Sequence, residues 1–300
     1  MEKREAGRKE KHTARKGGAT HCCRELQWEM AEFLRNRIGV VTGASSGIGE
    51  AVARALVDAG CPLVLNARRK EKLESLRKEL GDEDVAIAPG DCADAGVIAH
   101  MLDLAKDQFG GGKGKISPKR EADLIVINAG RGLGGTALTS DESQWDDLIR
   151  TNITGAARLI RAAGKRLLAS MPESEIRHDG SWLERPRDIV ILGSVVGRHV
   201  SPFSSFYSCT KAAVQTLAEG TRRELGPKGI RVTLVEPAFV TSEFQAVAGY
   251  SPEWYTQMVE KFGPMLSPAD VARAIVFAVS QPAHVHLSDF LIRPTRQEYP

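Results

Sequence analysis

The sequence predicts an α/β protein: a mainly parallel sheet of seven strands flanked by helices. Three observations carry that expectation. Apolar runs of strand length recur along the chain, helical patterns alternate with them, and a glycine-rich turn joins the first strand to the first helix. Alternating strands and helices place the strands parallel and the helices on both faces of the sheet.

The elements follow in order. Residues 38–42 are a short apolar run, as a strand covered on both faces requires. The helix at 47–59 begins inside the glycine turn. Strands at 62–66, 85–88, 124–128, 188–193 and 230–235 then alternate with helices at 70–80, 94–109, 141–170 and 206–225. A helix at 267–280 starts at Ser267-Pro268-Ala269-Asp270, with Ser267 as N-cap and Pro268 in the first turn. A short strand near 286–292 completes the seven. No internal repeat is visible, and 300 residues in one large domain can bury a substantial core without disulfides.

Composition narrows the function classes. Residues 1–36 form a charged, basic arm without an apolar segment of signal-peptide length, and six glutamates argue against a transit peptide. The whole chain carries +3, but ten basic and six acidic residues lie between Met1 and Arg37, so the remaining body is near neutral and nucleic acid is not an expected partner. No run reaches the length of a membrane span. The five cysteines include no CxxC pair, the seven histidines no HExxH, so no metal site is expected and a reducing, cytoplasmic setting fits. Two further segments are set apart by composition. Residues 110–121 are glycine- and charge-rich, and 171–187 carry mixed charge, two prolines and Trp182.

Chemistry is carried first by Ser194, Tyr207 and Lys211. If Tyr207 opens a helix, Lys211 lies four residues on and on the same face. A free phenol titrates near ~10. One positive charge at ~4.5 Å and an effective dielectric of ~20 favours the phenolate by about 3–4 kcal/mol, nearly three pKa units, which brings tyrosine into the range of an acid–base catalyst. Ser194, at the end of an apolar strand, can hold a substrate oxygen beside the phenol. A YxxxK pair alone also describes an ordinary surface helix. The glycine turn Thr42-Gly43-Ala44-Ser45-Ser46-Gly47-Ile48-Gly49, between a strand and a helix, turns the balance towards cofactor binding, because backbone N–H groups and a helix N-terminus there meet a pyrophosphate.

These motifs together resemble the short-chain dehydrogenase/reductase family over residues 38–297. Thr42, Gly43, Gly47, Ile48 and Gly49 match its cofactor turn, Asn128-Ala129-Gly130 its motif after the fourth strand, and Thr151-Asn152-Ile153-Thr154-Gly155 supplies its helix asparagine. Ser194, Tyr207 and Lys211 complete the tetrad. The resemblance implies one Rossmann-type doubly wound domain over 37–297, oxidation of alcohols or reduction of carbonyls with a nicotinamide cofactor, and a homo-tetramer or homo-dimer packed through the helices at 141–170 and 206–225. It assigns Asn152 a water linking Lys211 to solvent, Asp91 beside Cys92 a contact with the adenine amino group, and Pro237, Val240 and Thr241 the nicotinamide end. In place of the family's Pro-Gly the chain has Pro237-Ala238.

Cofactor choice is read after the second strand, where an acidic residue selects NAD. Here Arg68 and Arg69 stand instead, and guanidiniums pair with a 2′-phosphate, so NADP is expected over NAD. Ser46 stands where NADP-dependent members often carry a basic residue. The segments 267–272, 281–285 and 291–297 resemble the branch of NADP-dependent serine and 3-hydroxy acid dehydrogenases, which also contains ketosteroid and aldehyde reductases. A small 3-hydroxy acid is therefore the first expected substrate, with bulkier carbonyls the alternative and a nucleotide-sensing module without turnover a third reading. Substrate contacts are expected from 131–134, 198–206 and 242–263, with Arg131 or Arg198 available to a carboxylate.

Overall fold

The structure is a computed structural model that describes residues 34–111, 120–173 and 180–299. Most of the basic arm, and the centres of the two compositionally distinct segments, lie outside the described residues. Seven strands, β1 (Gly39–Thr42), β2 (Leu63–Asn66), β3 (Val85–Ile87), β4 (Leu124–Ile127), β5 (Arg187–Leu192), β6 (Ile230–Pro237) and β7 (Asp289–Ile292), form one sheet in the order β3-β2-β1-β4-β5-β6-β7. Every neighbouring pair is parallel. The mainly parallel expectation thus becomes a wholly parallel sheet, β7 included.

The period-two alternation of the strands sorts their side chains into two apolar layers. Val40, Val64, Ile125, Ile127, Ile189 and Ile191 face one layer. Val41, Leu63, Leu65, Leu124, Val126 and Val190 face the other. Helices α3 (Ala95–Phe109), α5 (Ala156–Ala169) and α6 (Ser205–Leu225) cover the first layer, and α1 (Gly47–Asp58), α2 (Lys70–Leu80) and α9 (Pro268–Val279) the second. Each fully buried Val, Leu or Ile contributes about 1.5–3 kcal/mol, so the strand centres are largely apolar, and buried polar residues such as Asp188, Arg231 and Glu236 sit towards the strand ends. Helix α9 begins with a reciprocal capping box between Ser267 and Asp270, as the Ser-Pro start predicts.

The single helix expected at 141–170 is interrupted. A 3₁₀ turn (Glu142–Gln144) and a short helix α4 (Trp145–Ile149) lead into a π-helical stretch, Arg150–Gly155, before α5. The expected substrate loop at 242–263 contains α7 (Phe244–Val247) and α8 (Pro252–Phe262). Ser251 caps α8 through the Trp254 amide and Pro252 opens it, the same start signal as in α9. No described helix is long and apolar enough to cross a membrane.

Beneath the sheet, at the end opposite the strands' C-termini, a buried charge cluster joins four strands. Arg37 donates to Asp123 (Nε–Oδ1 2.7 Å) and Asp188 (Nη2–Oδ2 2.9 Å), and Arg231 grips both oxygens of Asp188 at 2.7 and 2.9 Å. Arg231 also donates to the carbonyls of Val279, Gln281, Pro282 and Val285, tying the end of α9 to β6. The folded body reaches further back than the expected start at residue 37, because Leu34 is fully buried in the layer under α1.

Candidate active site

The candidate site is a cleft of about 630 Å³ along the C-terminal ends of the strands. Its centre lies where β1 and β4 neighbour each other and the chain leaves them in opposite directions, the place where open α/β sheets bind ligands. The glycine turn lines it. Gly43 has φ 67° and Gly47 φ 57°, both favouring glycine. A Cβ on Gly49 would come within 2.3 Å of the Gly43 carbonyl, so this glycine serves close packing of helix on turn rather than the cleft itself. Ser46, the N-cap of α1, makes no side-chain cap, which leaves first-turn amides for an anion. Ser45, Ser46, Gly47 and Ile48 face the cleft, and so do Asn128, Ala129 and Gly130. Asn128 is held by the Thr42 carbonyl (2.9 Å), while the Asn128 and Ala129 amides donate to the Thr42 hydroxyl, each at 3.1 Å. That lattice locks the turn after β4 to the turn after β1. The site therefore fits a dinucleotide: a glycine-rich turn of small side chains, open helix amides, and cations at the far end.

Those cations are Arg68 and Arg69. Arg68 is exposed, lines the cleft and pairs with no carboxylate among the described residues. Arg69 turns back onto the glycine turn, donating to Ser45 Oγ (3.1 Å) and Ser46 Oγ (2.6 Å), so it supplies positive charge beside the position where Ser46 replaces a basic residue. Its Nη1 donates to Glu243 at 2.8 Å, a contact no local signal in the sequence announces. Asp91 accepts from the Ala93 amide (2.8 Å) and Arg150 (2.8 Å) at the cleft wall. Burial and the Asp91 carboxylate push the neighbouring Cys92 thiol up to about 11, which keeps it protonated.

Tyr207, Lys211 and Ser194 converge at the other end. Tyr207 is the third residue of α6, so Lys211 lies one turn on, with its Nζ 5.9 Å from the phenol ring centre. The ammonium thus lies over the phenol ring, where a positive charge favours the phenolate form. Lys211 donates to the Leu192 carbonyl at 2.8 Å, and burial lowers its pKa to about 8. Burial pushes the Tyr207 phenol up, opposed by the Ser194 hydroxyl within hydrogen-bonding reach. Ser194 is fixed at the end of β5 as the N-cap of a 3₁₀ turn, its Oγ taking the Val196 amide (3.4 Å) and donating to Pro237 O (3.4 Å).

Asn152 stands behind this trio rather than in the cleft. It sits in the π-helical stretch, its amide bracketing the Arg131 backbone (2.9 and 3.0 Å) and donating to Thr210 Oγ1 (3.0 Å). A Cβ on Gly130 would lie 3.3 Å from Asn152 Oδ1 and 3.7 Å from Lys211 Nζ, so glycine keeps open the space between them. The buried asparagine is no surface glycosylation acceptor, although Asn152-Ile153-Thr154 has the sequon form.

After β6, Pro237 and Val240 line the cleft. The Ala238 amide donates to Ile292 O (2.8 Å), so pairing with β7 runs through the position where glycine was expected. Thr241 does not line the cleft; its hydroxyl is shared with the Tyr255 phenol at 2.7 Å. All three segments expected to contact substrate contribute walls. Leu133 packs against Tyr207, and Phe203, Phe244, Tyr250 and Trp254 line the opening. The two arginines expected to meet a carboxylate are already engaged. Arg131 pairs with Asp147 and Gln144, and Arg198 with Glu236 (2.8 Å) and Asp289 (2.5 Å). Gln297 and Tyr299 also line the cleft, Gln297 accepting from the Phe239 amide at 3.3 Å.

Comparison with known proteins adds four findings. A family model described as short chain dehydrogenase matches residues 37–250. A protein described as an uncharacterized oxidoreductase from Staphylococcus aureus (strain MW2) is 31% identical over 261 residues, covering 87% of this chain and 98% of its own length. A serine dehydrogenase solved in its closed form with NADP+ is 28% identical, with a TM-score of 0.71 over 87% of this chain and 96% of that one. The serine dehydrogenase from Escherichia coli is similar at 27% identity and a TM-score of 0.66, over 87% of this chain and 100% of its own.

Proposed function

The chain belongs to the short-chain dehydrogenase family, and we propose that it is an NADP-dependent oxidoreductase in which Tyr207 exchanges a proton with the oxygen of an alcohol or carbonyl. The observation that carries this reading is the meeting of Tyr207, Lys211 and Ser194 at one end of a cleft whose other end is a glycine turn flanked by Arg68 and Arg69. The NADP+ held by the similar serine dehydrogenase supports the cofactor assignment. Gly43, Ser45, Ser46, Gly47 and Ile48 would hold the pyrophosphate, with Gly49 packed beneath them. Arg68 and Arg69 would take the 2′-phosphate, Asp91 and Cys92 the adenine, and Asn128, Ala129, Gly130, Pro237, Val240 and Thr241 the remaining length, Thr241 through its backbone.

When bound, the nicotinamide supplies hydride to a carbonyl carbon or accepts it from an alcohol. Tyr207 gives its Oη proton to the carbonyl oxygen in reduction and takes it back in oxidation. Burial keeps the phenol protonated at neutral pH, the form that serves reduction. Ser194 donates a second hydrogen bond to the same oxygen and fixes its position. Lys211, mostly charged at neutral pH with its pKa near 8, steadies the phenolate left behind and would hold the nicotinamide ribose. Asn152 keeps Arg131 and Thr210 in place and would complete a water path from Lys211 to solvent. The complete tetrad argues against a nucleotide sensor without turnover. Free thiols at Cys61, Cys92 and Cys209 support a cytoplasmic setting, and a homo-tetramer or homo-dimer is carried over from the family, to be read by light scattering.

Arg68→Asp tests the cofactor reading. It places an acid at the end of β2 and is expected to move the NADP:NAD ratio of kcat/KM towards NAD by about tenfold or more. An unchanged ratio would remove the assignment to Arg68.

For the substrate, the likeness to serine dehydrogenases favours a small 3-hydroxy acid, and the cleft favours an uncharged, apolar carbonyl. Phe244 and Val196 pack near Tyr207, and Phe203, Phe239, Tyr250 and Trp254 line the same cleft. Arg131 and Arg198 are spent on internal pairs, and Lys261, a further cation of the cleft, binds Glu298 at 2.8 Å. A substrate carboxylate there would lose water without gaining a partner. We therefore place bulky apolar ketones and aldehydes first. In a panel of serine, 3-hydroxypropionate and aromatic ketones, the ketones are expected to lead in kcat/KM by about a hundredfold. Faster turnover of serine would restore the hydroxy acid reading.

A further inference from the structure

Glu243 joins two ends of the cleft that are far apart in sequence. The segment after β6 folds back over the glycine turn, where a Cβ on Gly47 would touch Ser242 at 3.4 Å. The next residue, Glu243, accepts from Arg69 Nη1 at 2.8 Å, and Lys72 Nζ lies 3.8 Å from its other oxygen. The same guanidinium holds Ser45 Oγ and Ser46 Oγ, at 3.1 and 2.6 Å. One arginine thus ties the start of α2, the glycine turn and the strap after β6 together. Glu243 immediately precedes Phe244, whose ring centre is 5.6 Å from that of Tyr207. Arg69 and Glu243 are about half exposed, and an exposed ion pair adds little to stability. Its importance lies in which cations it occupies.

We propose that Glu243 is a specificity-determining residue for the cofactor: its carboxylate holds Arg69 and Lys72 and must yield them to a 2′-phosphate. The inference deepens the NADP reading above and rests on it. A phosphate monoester carries close to two negative charges at neutral pH, and a carboxylate sharing the same cations repels it. An unphosphorylated ribose makes no claim on Arg69 and leaves the strap fastened. Glu243 therefore weakens binding of the phosphorylated cofactor selectively. Arg68 makes no contact with Glu243 and is in no close ion pair among the described residues, with Asp91 its electrostatic neighbour, so it attracts the phosphate whether or not the strap is fastened.

The test is equilibrium binding by the full chain without turnover. Dissociation constants for NADPH and NADH are read from quenching of tryptophan fluorescence, and that for adenosine 2′,5′-bisphosphate by calorimetry. Glu243→Gln is expected to tighten NADPH and the bisphosphate about fivefold, from the loss of one like charge at close range, and to leave NADH within about twofold. Glu243→Lys, which cannot retain the Arg69 contact, is expected to tighten NADPH further. Equal changes for NADPH and NADH, or no change in either variant, would overturn the inference. A wild-type protein that binds NADH as tightly as NADPH would instead remove the NADP reading itself, and this inference with it.

Discussion

Tyr207→Phe is expected to lower kcat by about a thousandfold or more, the contribution of a positioned general acid, while NADPH still binds. The phenol is buried, with only 7% of the residue exposed, so bulk water has poor access to deliver the proton in its place. Ser194 can orient an oxygen, but an aliphatic hydroxyl is too weak an acid to replace the phenol. The substitution keeps the ring, and with it the packing on Leu133, Leu148 and Phe244 that holds the start of α6. A loss of turnover therefore reports the missing hydroxyl and not a disturbed fold. The comparison is single-turnover reduction against cofactor affinity from fluorescence in the same preparation. Near-normal turnover would refute the acid–base role.

Asp188→Asn is expected to destabilise the fold by about 3–5 kcal/mol, the usual result of removing one partner from a buried ion pair. Asp188 is 1% exposed and receives hydrogen bonds from Arg37 and Arg231. Arg37 would keep Asp123, but Arg231 has no other carboxylate among the described residues and would remain charged and buried. The melting temperature should fall by roughly 10 °C, read by calorimetry alongside urea unfolding. Pairing the substitution with Arg231→Met removes the uncompensated charge and should recover part of the loss. A loss below about 1 kcal/mol in the single variant would show that the guanidinium finds water or another partner.

The strands were legible because burial on both faces forces largely apolar runs; Leu63–Asn66 and Leu124–Ile127 fall within a residue of their expected limits. Tyr207, Lys211 and Ser194 were legible because helix periodicity and a strand end place them locally. The strap after β6 is expected only as a segment that meets substrate, yet Ser251-Pro252 carries the same start signal as Ser267-Pro268. The π-helical stretch at Arg150–Gly155 has no comparable marker, since Asn152 is held by backbone groups of Arg131 and by Thr210, both distant in sequence. Arg131 and Arg198 looked free for the same reason. Their acidic partners Asp147, Glu236 and Asp289 meet them only through the fold, and Glu243 carries no local signal because its partner Arg69 follows a strand four positions away in the sheet.

A sheet without a single antiparallel pair also governs how this chain must assemble. No hairpin is available to seed it, since each strand finds its neighbour only after a helical crossover. Val40 pairs early with Val64, but its other neighbour, Ile125, is made much later, and the edge strand β7 is the last strand to arrive. Such non-local closure must lose chain entropy before contacts repay it, which slows folding. Until β4 is in place, the open edge of β1 exposes backbone donors and acceptors between two apolar faces, the state most prone to aggregation. Recovery of the soluble protein should therefore be governed by the time spent with that edge uncovered.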